Sequence, residues 1–89
     1  MATMEETKQW GIGIDCPPFT PRPDVYADYI KNNIYDGVEY EITSKFFGHW
    51  EFSFKKGWYP TEEQRKASWD YLTEQYNNGM IRYADQGGL

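Results

Sequence analysis

Nucleophilic catalysis needs a thiol or hydroxyl, a base beside it and a group that orients the base, and this chain offers one cysteine, Cys16, and one histidine, His49. Cys16 precedes Pro17 and Pro18 with no helix N-terminus beside it to lower its pKa, and His49 stands far along the chain. The pattern favours a small apolar residue and a turn histidine over a catalytic pair. His49 and Glu51 supply two metal ligands at most, short of the clustered set a metal needs. Gly11 and Gly13 form a bare GxG, but Pro17 and Pro18 stand where a phosphate-cradling helix would begin. Glu39 and Glu41 lie two apart, the spacing that lets paired carboxylates share a strand face and raise one pKa, yet Lys55 is expected opposite Glu39 to neutralise it. No cofactor or metal is expected, and the function is expected to be non-enzymatic.

With catalysis set aside, the composition points to recognition. Tyr, Phe and Trp make up 19% of the 89 residues. A domain of this size buries only about 60–65% of its unfolded surface, so some of those rings must stay exposed, and exposed aromatics make binding surfaces. The net charge is −5, and residues 1–44 hold eight acids and three bases while residues 45–89 hold six of each. Such a balance disfavours direct nucleic-acid binding, and Lys55, Lys56 and Arg82 are too few to line a groove beside Trp50, Phe52 and Trp58. The expected partner is a larger protein or complex with a basic surface. A single cysteine excludes an internal disulfide framework and suggests the cytoplasm or another reducing compartment. The segment MATMEETKQW has no apolar signal core, and no run reaches the roughly 20 apolar residues of a membrane span, so no membrane role is expected.

The elements that must position these residues follow from local pattern, and they predict an α+β fold. Residues 1–23 read as an extended arm rich in Pro and Gly, in which Trp10, Ile12 and Ile14 alternate with Gly11 and Gly13 as an edge strand does. The arm packs either along the domain's own sheet or along a partner. Residues 24–85 read as one α-β-β-α-β domain, an antiparallel hairpin packed by two helices, and residues 86–89 as a polar tail. Pro23 and Asp24 open the first helix, with Asp24 as N-cap or as a favourable charge at its positive end. Val25, Tyr26, Tyr29, Ile30 and Ile34 form its apolar stripe. Val38, Tyr40 and Ile42, then Trp50, Phe52 and Phe54, alternate with polar residues as two half-buried strands. A three-residue loop of Phe46, Phe47 and Gly48 between Lys45 and His49 faces Ile42 with Phe52, Tyr40 with Phe54 and Glu39 with Lys55. Thr61 with Gln64 forms a capping box, and the second helix runs from Glu62 to about Asn78, where Gly79 stops it. Trp69, Leu72 and Tyr76 share one of its faces, and Met80–Tyr83 reads as a short third strand.

On this frame the binding candidates are Phe46 and Phe47 at the hairpin tip, Trp58 and Tyr59 before the second helix, Glu39 and Glu41 on the strand, and Trp10 and Phe19 in the arm. The expected function is a protein-protein interaction module, an accessory subunit of a larger complex or a small inhibitor of a larger protein, binding through exposed aromatics and an acidic N-terminal half. The alternative is an acidic nucleic-acid mimic, with Asp15, Asp24, Asp28, Asp36, Glu39 and Glu41 standing in for a phosphate track in a basic groove.

Overall fold

The computed structural model describes residues 9–17, 22–46 and 48–88, which form β1 (Trp10–Asp15), α1 (Pro23–Asn33), β2 (Tyr40–Phe46), β3 (His49–Phe54), α2 (Glu62–Asn77) and β4 (Tyr83–Gly88). All neighbouring strands are antiparallel, in the order β2-β3-β1-β4. The units β1-α1-β2 and β3-α2-β4 interlock, because β3 lies between β1 and β2 while β1 lies between β3 and β4. This is the split β-α-β, ferredoxin-like connectivity. The α+β class and the expected α-β-β-α-β order both hold, with one more strand in front.

That extra strand corrects the reading of the arm. Trp10–Asp15 is an interior strand, neither an edge nor a free extension, and it pairs with β3 on one side and β4 on the other. Trp10, Ile12 and Ile14 turn to the helix-covered face and join Phe52, Phe54, Tyr26, Ala27, Ile30, Leu72 and Ile81 in the core. Burying an isoleucine of this kind is worth about 1.5–3 kcal/mol, which outweighs the weak strand propensity of the intervening glycines. The other end of the chain is corrected in the same way. Gly79 turns at φ 77° to end α2, Ile81 drops into the core, and Tyr83–Gly88, read as strand end and polar tail, forms β4.

Cap chemistry follows the sequence in α2 and departs from it in α1. The Gln64 amide donates to Thr61 Oγ1 at 3.1 Å and the Thr61 amide donates to Gln64 Oε1 at 2.8 Å, the reciprocal box. In α1 the N-cap is Arg22, Pro23 takes the first turn, and Asp24 pairs with the Arg22 guanidinium at 2.6 Å. Between the helices Tyr29 stacks on Tyr71 at 4.3 Å, and burial pushes the Tyr71 phenol up to about 12.

The hairpin keeps its predicted pairs Tyr40–Phe54 and Ile42–Phe52, but its turn is tighter. Phe46 pairs with His49 and Lys45 with Trp50, so the ladder runs one pair closer to the turn than expected. A bulge at Thr43, between Ile42 and Ser44, absorbs the extra residue. Gly48 sits at φ 83°, the left-handed conformation expected of it.

Candidate functional site

Both helices pack on one face of the sheet, so the side chains that alternate with the core residues meet on the other. The pairing arranges them in rows across the strands. Phe46, His49, Asp15 and Tyr83 form the row at the hairpin-tip end. Ser44, Glu51, Gly13 and Asp85 form the next, and Glu41, Ser53, Gly11 and Gly87 the one after. Gly11 and Gly13 floor a groove walled by Glu51 on β3 and Asp85 on β4. None of these row positions is Lys or Arg. The face therefore presents Asp15, Glu41, Glu51 and Asp85 with one histidine among them.

His49 is held by its neighbours. Its Nδ1 meets Asp15 Oδ1 across the β1–β3 ladder, and its Nε2 lies 3.3 Å from Glu51 Oε1 on its own strand. The bond to Asp15 raises the imidazole above its ordinary pKa, burial opposes this, and Glu51 adds to it. A neutral ring donates from one nitrogen only, so a donor at both positions requires the imidazolium. Both nitrogens are engaged and neither is presented to a substrate, which suits a charge clamp between strands better than a general base.

Gly13 explains how close these groups come. A Cβ there would lie 2.5 Å from Asp85 Oδ1 and 3.5 Å from His49 Cε1. With no side chain in the way, the Gly13 amide donates to Asp85 Oδ1 at 3.1 Å, and the Tyr83 hydroxyl donates to Asp85 Oδ2 at the same distance. Tyr83 is raised in pKa by that bond to Asp85.

The sequence candidates scatter over this frame. Phe46 is 62% exposed and its ring lies 5.7 Å from the His49 ring, at the corner of the acidic face. Glu41 lies on that face. Glu39 is exposed just before β2, where its carbonyl accepts the Lys55 amide at 2.9 Å, so the expected pairing with Lys55 is made by the backbone. Trp58 packs against Tyr35 and Phe54 at the core margin. Tyr59 sets its ring edge against Trp10 and its hydroxyl over Gly88. Trp10 is a core residue, 6% exposed, with its indole N–H donating to the Tyr35 hydroxyl. Phe47 and Phe19 lie outside the described residues. Of the six acids expected as a phosphate track, Asp15 and Glu41 share the sheet face, while Asp24 pairs with Arg22, Asp28 accepts the Tyr40 hydroxyl at 2.5 Å, and Asp36 accepts from Gln64.

Sequence reasoning missed Asp85 and Tyr83, and it named Asp15 and Glu51 without bringing them together. His49 and Glu51, two apart on a strand, necessarily share a face, and that signal was available. Asp15 and Asp85 carry none without the β1–β4 pairing. Among the described residues no group of His, Cys, Asp and Glu is arranged to hold a metal ion, and no helix is long and apolar enough to cross a membrane. No protein-family model and no curated protein sequence matches this chain.

Proposed function

We propose that the chain is a non-enzymatic protein-binding module, an accessory subunit or a small inhibitor, that presents the helix-free face of its sheet to a basic surface on a larger protein in a reducing compartment. The supporting observation is the convergence of Asp15, Glu41, Glu51 and Asp85 on one face in three rows without Lys or Arg, with Lys55, opposite Glu39, one row beyond. Like charges so close favour a cationic partner, which relieves their mutual repulsion. Phe46 at the corner of the face is the apolar anchor, since a large exposed ring beside charges gives the fully desolvated contact that dominates binding energy. The acids come from both halves of the sequence, so the surface is made by folding and not by the acidic N-terminal half alone.

The test is affinity capture with the tagged chain, comparing the native sequence with a Glu51→Lys/Asp85→Lys double variant, Phe46→Ala and Tyr29→Ala, with proteins identified by mass spectrometry. The expected result is a captured protein released by the double variant and by rising salt, weakened by Phe46→Ala and retained by Tyr29→Ala. A partner that ignores the charge reversal and is lost with Tyr29→Ala, on the helix side, would refute this reading.

A further inference from the structure

The two edges of the sheet are not alike. β2 carries the Thr43 bulge and the exposed Lys45, both devices that keep another strand from pairing. β4 pairs with β1 in unbroken register from Tyr83 to Gly88 and contains neither Lys nor Pro, and among the described residues no strand pairs with its outer side. Beside that edge runs an apolar groove lined by Trp69, Leu72, Thr73 and Tyr76 of α2 and by Tyr83 and Ala84 of β4. Trp69 and Tyr76 are 41% and 57% exposed, although the large aromatics of a small domain are its main means of burying surface. A free strand edge next to a pocket for alternate side chains is the arrangement used for strand addition.

From this, and resting on the protein-binding reading above, we infer that β4 receives an extended segment of the partner whose residues alternate between Lys or Arg and large apolar side chains. A strand laid along β4 would place every second side chain on the helix-covered side, the one beside Ala84 over the groove, and the intervening ones beside Tyr83 and Asp85 on the acidic face. The first set must be apolar and the second cationic. A second copy of this chain does not fit, because its β4 would add another Asp85 to a face that already holds Asp15, Glu51 and Asp85.

The probe is the blocked heptapeptide Lys-Phe-Lys-Val-Lys-Phe-Lys, titrated into the isotope-labelled full chain and followed by amide NMR and hydrogen exchange. A peptide of the same composition with its lysines in one block serves as control. The expected result is shifts and new protection confined to Tyr83–Gly87 and the Trp69 indole, tighter binding of the alternating peptide, and about a tenfold loss with Trp69→Ala or Tyr76→Ala, the usual effect of truncating one anchor. Equal binding of the control peptide with its lysines in one run, shifts at β2 instead of β4, no saturable binding, or protection of β4 by self-association without peptide would each overturn the inference. A natural partner released by Glu51→Lys/Asp85→Lys that leaves β4 unprotected would overturn it too, while leaving the acidic-face reading in place.

Discussion

Asp15 and His49 are partners across the β1–β3 ladder, and the side chains of the two meet through Asp15 Oδ1 and His49 Nδ1. This contact joins an interior strand to the first residue of β3, directly after the hairpin turn. It is reinforced at the backbone, where the Cys16 amide donates to the Gly48 carbonyl at 2.9 Å.

The contact makes stability depend on pH. The folded imidazole is raised in pKa, chiefly by Asp15, while the unfolded chain titrates near the ordinary value of about 6.5. Below that value both states hold the proton and the full stabilisation is present. As pH rises through the folded pKa the proton leaves and the stabilisation is lost. Thermal unfolding should therefore move to lower temperature as pH rises above about 6.5, the ordinary imidazole value. His49→Asn should show a flatter profile over the same range, and an NMR titration of the ring should give a midpoint above that of a free imidazole.

Gly48 should be the least replaceable residue of the turn. It sits at φ 83°, and a Cβ there would stand 3.0 Å from the Cys16 carbonyl oxygen, a backbone atom that cannot swing aside. Gly48→Ala is expected to cost about 1–2 kcal/mol in urea unfolding. Gly87→Ala, where an added Cβ meets nothing within 4 Å, is the control and should stay within about 0.5 kcal/mol.

The Tyr35 hydroxyl is a junction inside the core. It accepts from the Trp10 indole at 3.1 Å, donates to Gln86 Oε1 at 2.9 Å and lies 3.0 Å from Ser68 Oγ. Tyr35→Phe keeps the ring and strands those partners, so a loss of about 1–3 kcal/mol is expected in denaturant titration. A change below about 0.5 kcal/mol would mean that the partners find other bonds.

Phe46 and Trp58 should separate in function and stability. Phe46→Ala removes a ring that is 62% exposed and should leave the unfolding midpoint nearly unchanged. Trp58→Ala removes a ring packed 5.0 Å from Tyr35 and 5.8 Å from Phe54, and should cost about 3 kcal/mol. Loss of a partner on Trp58→Ala would therefore report unfolding, and circular dichroism of the variant distinguishes the two.

What the sequence made legible was whatever depends on neighbours in the chain. The Thr61–Gln64 box, the stop at Gly79, the left-handed Gly48 and the Tyr40–Phe54 and Ile42–Phe52 pairs are all decided within a few residues. The failures lie where distant segments decide. Gly11 and Gly13 weaken a strand in isolation, and only β3 and β4 on either side make Trp10–Asp15 one. The same pairing turns Asp85-Gln86-Gly87-Gly88 from a polar tail into a strand and brings Asp85 to the Gly13 amide. Thr43 as a bulge was hidden because the strands before and after it both alternate correctly.

The interior position of β1 also sets an order of events. Gly11 must find both Ser53 and Gly87, so the strand made earliest among the described elements is enclosed last. Contacts that distant in sequence slow the search relative to a domain built on local contacts. On the ribosome, the side of β1 that pairs with β4 stays an open strand edge until Tyr83–Gly88 has emerged, an exposure that the finished sheet removes.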